Sequence, residues 1–222
     1  MSTYSNLIKQ ILIVEDHPIF RAGLVQLIKS VENWRILGEV ASSWEALAVV
    51  RREIPDIILV DISLQDSNGL DLIKDLLREF PHLKILVLSM HDESFYAERA
   101  LHAGAKGYVM KQAAPTKIFD AIESILLGKI YVSDDVKERL LERMISSSTR
   151  DSPSDVSDLS DREFHVFELI GFGYSSREIA EKLNLSVKTI ETHKDHLKNK
   201  LNLRSSSELR QFAIQWKLSN KV

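Results

Sequence analysis

Five short apolar runs alternate with amphipathic stretches over residues 10–128, and no other feature of the chain constrains its fold as strongly. The runs are QILIVED (10–16), WRILGEV (34–40), DIILVD (56–61), KILVLSM (84–90) and KGYVMK (106–111). Each is followed by a stretch whose apolar residues have helical spacing: FRAGLVQLIKSV, SWEALAVVRRE, GLDLIKDLLREF, SFYAERALHAG and TKIFDAIESILLG. Strand and helix repeated in this way build right-handed βαβ units, which predicts a parallel sheet with helices on both faces. Pro55 and Pro81 stop the second and third helices short of the next strands, because proline lacks the amide hydrogen that a helix interior needs.

The third run poses a chemical question. Ile57, Ile58, Leu59 and Val60 form an unbroken apolar stretch that ends in a bare carboxylate, Asp61. A strand buried on both faces accounts for the apolar part. An acid at its C-terminal end lies where open α/β sheets bind ligands. The other strands end in kind: the first in Glu15 and Asp16, the fourth in Ser89, the fifth in Lys111. With a sheet order of 2-1-3-4-5, strands 1 and 3 are neighbours and Asp16 faces Asp61. Crowded carboxylates repel each other, which favours raised pKa values or a hard divalent cation. Mg²⁺ suits two carboxylates that leave room for water. Loop capping would account for Asp61 alone but not for five converging groups.

Charge divides the chain. Residues 1–142 hold 16 Lys and Arg against 21 Asp and Glu, a balance of −5, whereas 159–222 hold 11 against 8, a balance of +3. Between them ISSSTRDSPSDVSD (145–158) is rich in Ser and Asp without apolar periodicity, which is linker composition. The expected organisation is a first domain at 1–142, a linker at 143–158 and a second domain at 159–222. Zero cysteines exclude disulfides and thiolate zinc sites. No apolar run approaches the ~18 residues of a membrane span, and MSTYSNLIKQ lacks a secretory pattern. The expectation is a cytoplasmic protein without membrane contact.

The tail reads as four short helices over 159–173, 175–184, 186–203 and 205–216. Ser160 with Glu163, and Ser175 with Glu178, have capping-box spacing, and Ser186 opens the third helix. A core stripe is expected from Val187, Ile190, Leu197 and Leu201, continued by Ile179, Ala180 and Leu183. The outer face of the third helix then carries Lys188, Glu191, Thr192, Asp195, Lys198 and Asn199, flanked by His193, Lys194 and Lys200. Two helices joined by a tight turn, the second polar and basic outside, form a helix-turn-helix.

Residues 9–128, with Glu15, Asp16, Asp61, Ser89, Tyr108 and Lys111 in place, resemble the receiver domain of two-component response regulators. LSDRE…ELIGFGYSSREIAEKLNLSVKTIETHKDHLKNKL (159–201) resembles the LuxR-type helix-turn-helix, and the combination resembles the NarL/FixJ class of transcription regulators. The resemblance implies a flavodoxin-like (βα)5 receiver followed by a four-helix module. It implies that Asp61 accepts a phosphoryl group from a sensor histidine kinase. Glu15, Asp16, Asp61 and the Ser63 backbone carbonyl would hold Mg²⁺. Ser89 and Lys111 would bind the phosphoryl oxygens, with Tyr108 following Ser89 as a switch. It further implies binding of double-stranded DNA, as a homodimer once phosphorylated, paired through the surface that carries ERALHAG (98–104) and KGYVMK. Residues 187–201 correspond to the recognition helix. Lys188, Glu191, Thr192 and Asp195 would face the bases, Lys194, Lys198 and Lys200 the phosphates, and His193 stands where the family often has histidine.

Three positions depart from the family pattern: Gln65 replaces a frequent proline, Met90 a small residue, and Gln112 a proline that often follows a cis bond. An independent aspartyl-phosphate phosphatase is disfavoured, because its general acid two residues after the nucleophile is here Ser63. A flavin site is disfavoured by the acids after the first strand, which would repel a phosphate. A regulator acting through protein contact alone is the remaining alternative to a DNA-binding one.

Overall fold

The computed structural model describes residues 7–64, 68–146 (143–146 as backbone only), 156 and 159–219. Gln65 and residues 147–155, 157 and 158 of the expected linker lie outside these residues. The chain divides into two compact units, Met1–Ser146 and Ser147–Val222.

In the first unit β1 (Lys9–Val14), β2 (Trp34–Val40), β3 (Ile57–Asp61), β4 (Ile85–Ser89) and β5 (Gly107–Met110) form one sheet of order β2-β1-β3-β4-β5. All four pairings are parallel. Every residue of β3 and β4 is buried, as expected where helices cover both faces. Helices α1 (Pro18–Lys29), α2 (Ser43–Arg52), α3 (Gly69–Glu79), α4 (Glu93–His102) and α5 (Pro115–Leu126) connect or follow the strands. Helix α1 starts two residues earlier than its apolar periodicity suggests, at Pro18, whose fixed φ suits a first helical position. The Asn68 side chain caps α3 by accepting the Leu70 N–H at 2.9 Å. All described peptide bonds are trans, so Gln112 does not reproduce the cis bond often found in the family.

One element was not anticipated. After α5 the chain runs back along β5: the Tyr108 N–H donates to the Tyr131 carbonyl at 3.0 Å and the Tyr131 N–H to the Lys106 carbonyl at 2.9 Å. Val132 and Val136 are buried, and α6 (Asp134–Ser146) packs on α4. The surface expected to pair two receivers, 98–111, therefore already carries this chain's own residues 130–146. Helix α6 also extends into the stretch assigned to the linker by composition. Its signal is short, Val136 and Leu140 one turn apart in a strongly charged sequence, and its seat is created only by the folded β5 edge.

The second unit is α7 (Asp161–Gly171), α8 (Ser176–Lys182), α9 (Val187–Lys200) and α10 (Ser206–Ser219). Both capping boxes form, at Ser160–Glu163 and Ser175–Glu178. Phe167 and Phe164 of α7 pack edge-on against Trp216 of α10, at centroid distances of 5.4 and 5.7 Å. Asn184 and Asn202 adopt left-handed φ values of 55° and 53°. Each lets the next amide reach back to the closing turn, Leu185 N–H to the Ala180 carbonyl at 2.9 Å and Leu203 N–H to the Lys198 carbonyl at 2.8 Å. Ile179, Ala180, Ile190, Leu197 and Leu201 are core, as the stripe predicts. Val187 is not: it is 46% exposed, at the first position of α9, one turn before buried Ile190. Leu183 is only half-buried. No described helix is long and apolar enough to cross a membrane.

Gly107 is where β5 accepts the returning chain. A Cβ there would meet the Tyr131 carbonyl oxygen at 2.7 Å and Ile125 Cδ1 at 2.8 Å. Gly107→Ala is expected to lower the melting temperature and to raise amide exchange at Tyr108 and Tyr131. Unchanged exchange at both amides would show that the returning chain is not seated there.

Candidate functional site

The five groups at the strand ends converge. The β1–α1 and β3–α3 turns carry Glu15, Asp16 and Asp61 to the same edge, and the β5–α5 turn brings Lys111 between them. Lys111 Nζ lies 2.8 Å from Asp61 Oδ2, and 2.9 and 2.7 Å from the two oxygens of Glu15. These three side chains are 4%, 1% and 1% exposed respectively, so the cluster is almost free of screening water. The Phe20 ring lies under the same ammonium, 4.8 Å from its centroid. Asp61 Oδ1 accepts the Ser63 N–H at 3.0 Å. Ser89 is fully buried, and its Oγ accepts the His91 N–H at 3.1 Å, which leaves the hydroxyl proton available.

The donor set fits a hard divalent cation. Glu15, Asp16, His17 and Asp61 each bring a ligand atom within 4.8 Å of the others. Asp16 Oδ1 is buried and accepts no hydrogen bond, although His17 Nδ1 stands 2.8 Å away out of alignment. A buried anionic oxygen without a donor is costly unless a cation meets it. Carboxylate oxygens dominate the group, as Mg²⁺ requires.

Three further residues shape the site. His17 covers the acids, with Nδ1 3.1 Å from Glu15, and Arg21 donates to the Glu15 carbonyl. His91 links three of the groups already named. Its Nε2 lies 2.9 Å from Ser63 Oγ, its N–H meets Ser89, and its carbonyl accepts the Tyr108 hydroxyl at 2.8 Å. Its ring also stacks on Tyr96 at 4.3 Å. His17 adjoins the acid pair in sequence and Arg21 lies one helical turn beyond it, so both had a local signal. His91 had only its closeness to Ser89, since its other partners, Ser63 and Tyr108, come from the turn after β3 and from β5. Tyr108 is 1% exposed, and Met90, at the entrance, is 57% exposed.

On α9, Lys188, Glu191, Thr192, Asp195, Asn199 and Lys200 are exposed, while His193, Lys194 and Lys198 are half-buried. Ion pairs engage most of the charges. Lys194 Nζ donates to Glu191 Oε1 and to Ser176 Oγ, both at 3.0 Å, and Ser176 Oγ also donates to Glu191. Lys198 pairs with Asp195 at 2.9 Å and Lys200 with Glu163 at 2.8 Å. The Ser176 and Lys194 hydrogen bonds hold the Glu191 carboxyl below its usual range against the opposing effect of burial. Burial, with the neighbouring Arg162 cation, pushes the His193 imidazole down. His193 Nδ1 is buried without a hydrogen bond and turns into the protein.

A parallel sheet of this order, three acids and a lysine at its C-terminal edge, and a separate helix-turn-helix define a receiver joined to a nucleic-acid-binding module. Residues 11–123 match the response regulator receiver domain family, and 157–213 match the bacterial regulatory proteins of the luxR family. The chain belongs to the response regulators with a LuxR-type module, the NarL/FixJ family. It is 35% identical to the oxygen regulatory protein NreC of Staphylococcus epidermidis, across 94% of this chain and 98% of that protein. Among solved structures, RcsB from Salmonella enterica serovar Typhimurium, bound to a promoter in the presence of phosphomimetic BeF3−, superposes with a TM-score of 0.63 at 28% identity. That match covers 93% of this chain and 98% of RcsB. A LuxR-family two-component response regulator from Aurantimonas gives a TM-score of 0.58 at 32% identity, covering 63% of this chain and 99% of that one.

Glu163 yields a pH prediction. Burial pushes its carboxyl up, but hydrogen bonds from Lys200 and from the Ser160 amide and hydroxyl together hold it below the usual range. Its contribution is therefore complete above the ordinary carboxylate pKa and is lost as pH falls through the depressed value. Glu163→Gln is expected to cost about 1 kcal/mol at neutral pH. The gap from wild type should close in acid, as calorimetric melts of the full chain would register.

Proposed function

We propose that the chain is a phosphorylation-controlled transcription regulator in which Asp61 accepts a phosphoryl group from a sensor histidine kinase. The observation that carries this reading is the buried contact of Lys111 with Asp61 and Glu15 at the strand ends. An oxygen of Asp61 attacks phosphorus as the phosphorus–nitrogen bond of the donor histidine breaks, and the transferred group takes its three oxygens into the rim. Lys111 Nζ, now 2.8 Å from Asp61 Oδ2, is within reach of such an oxygen. The Ser89 hydroxyl, with its proton uncommitted, donates to another. Glu15, Asp16, Asp61 and the Ser63 carbonyl are the residues that would hold Mg²⁺, which supplies charge neutralisation during transfer. The chain assists only its own phosphorylation and the later hydrolysis of the Asp61 acyl phosphate, in which water takes the phosphoryl group and inorganic phosphate leaves.

Tyr108 reads the state of the rim through the His91 carbonyl, whose loop moves if Ser89 is drawn toward the phosphoryl group. The second unit binds double-stranded DNA through the outer side of α9, with exposed Lys188, Thr192 and Asp195 and half-buried Lys198 as the contacts. One helix-turn-helix spans a single half-site, so a homodimer doubles the contact. With residues 130–146 on the β5 edge, pairing there requires their displacement. The three parts, 1–142, 143–158 and 159–222, act as sensor, tether and reader.

Acetyl phosphate with Mg²⁺ is expected to add one phosphoryl mass, absent in Asp61→Asn, in Asp16→Ala and after chelation. Label persisting in Asp61→Asn would move the acceptor elsewhere. Gly69→Ala tests positioning without removing a functional group. Its Cβ would collide with the Asp61 carbonyl oxygen and lie 2.7 Å from Ile62 Cα. Labelling is expected to slow by about a hundredfold, the scale of a misplaced reacting group. For the second unit, mobility shift with genomic fragments should show tighter binding after phosphorylation; equal binding in both states would break the link between the units.

A further inference from the structure

The cations of α9 fall into two classes by what they touch. Lys194 is only 18% exposed and closes a triangle with Glu191 of its own helix and Ser176 at the start of α8. Lys200 meets Glu163 Oε2, the oxygen that also accepts the Ser160 amide and hydroxyl, each at 2.8 Å. Glu163 is 5% exposed, so withdrawing Lys200 toward a phosphate would leave a nearly buried carboxylate without its countercharge. Lys198 differs. Its own side chain is 24% exposed, less than the 44% of Lys200, but its partner Asp195, one turn back, is 66% exposed, so water or a phosphate oxygen replaces that carboxylate easily. Lys188 is exposed and forms no ion pair among the described residues.

We infer that Lys194, Lys200 and Glu191 are positioning residues, which lock α9 to α8 and α7 and make no contact with DNA. Lys188 and Lys198 supply the phosphate attraction, with Thr192 and Asp195 left to meet base edges. The Ser176–Glu191–Lys194 triangle fixes the crossing of the two helices of the helix-turn-helix. The Lys200–Glu163 pair fixes the far end of α9 against the capped start of α7. This assignment rests on the DNA-binding reading given above and deepens it. It also gives Glu191 a structural partner on the preceding helix in place of a base edge.

The dependence of affinity on salt separates the classes. Removing a lysine that neutralises a phosphate makes log K against log salt shallower by about 0.9, whereas removing a positioning residue leaves the slope alone. The full chain is titrated with a fragment carrying its selected site over a salt series. Lys188→Met and Lys198→Met are expected to flatten the slope by about 0.9 in each half-site. Lys194→Met and Lys200→Met are expected to keep the wild-type slope and to lower the melting temperature. If either single variant fails to fold, the double variants Glu191→Gln/Lys194→Gln and Glu163→Gln/Lys200→Gln leave no charge unpaired and carry the same measurement. A slope flattened by replacing Lys194 or Lys200 overturns the inference, as does a changed base preference in Glu191→Gln by site selection. Salt-independent binding, or none, by the wild-type chain overturns the DNA-binding reading and this inference with it.

Discussion

A single buried ammonium holds the receiver's rim together. Glu15 and Asp61 lie on neighbouring strands, within reach of one Lys111 nitrogen and almost out of contact with water. Without it the two carboxylates would repel each other in a medium that screens poorly, at a cost of several kcal/mol. The arrangement forces the parallel order, because Lys111 reaches both acids only if β5 ends at the same edge as β1 and β3. It also explains the exposure pattern: the cluster needs dry walls, which the helices on both faces and Phe20 provide. Asp16 makes no described contact with this lysine, and its buried Oδ1 accepts no hydrogen bond.

The second unit solves a similar problem with pairs in place of a cluster. Its helices are short, and α8 has only seven residues, too few to hold a fixed angle by packing alone. Capping boxes, left-handed asparagines and interhelical ion pairs supply the missing restraints. Ser175 and Ser160 each use a glutamate in a box, and Glu163 serves twice, as a cap for α7 and as the anchor for Lys200. Charge on the outer surface of α9 is thus divided between holding the helix and attracting a partner.

Within the receiver a line of hydrogen bonds crosses from β4 to the returning chain. Ser89, His91, Tyr108 and Tyr131 are joined successively. A continuous path of hydrogen bonds thus runs from the end of β4 to Tyr131, just before α6.

Periodicity and strand-end chemistry were legible in the sequence. The five βα repeats, the convergence of Glu15, Asp16, Asp61, Ser89 and Lys111, and both capping boxes follow from short-range spacing and from the rule that a parallel sheet aligns all its strand ends; the strand order came only with the family resemblance. Tertiary structure alone decided the rest. Helix α6 depends on a β5 edge that exists only once the sheet forms, and Val187 is exposed at the first position of α9. His91 gains its role from Ser63, Ser89 and Tyr108, on three different strands or their ends. Glu191, Lys194 and Lys200 look alike on a helical projection, yet Ser176 and Glu163, 15 and 37 residues away, turn them toward the protein. Local rules fix which face of a helix is polar; which polar groups on it are already spent depends on what the fold brings alongside.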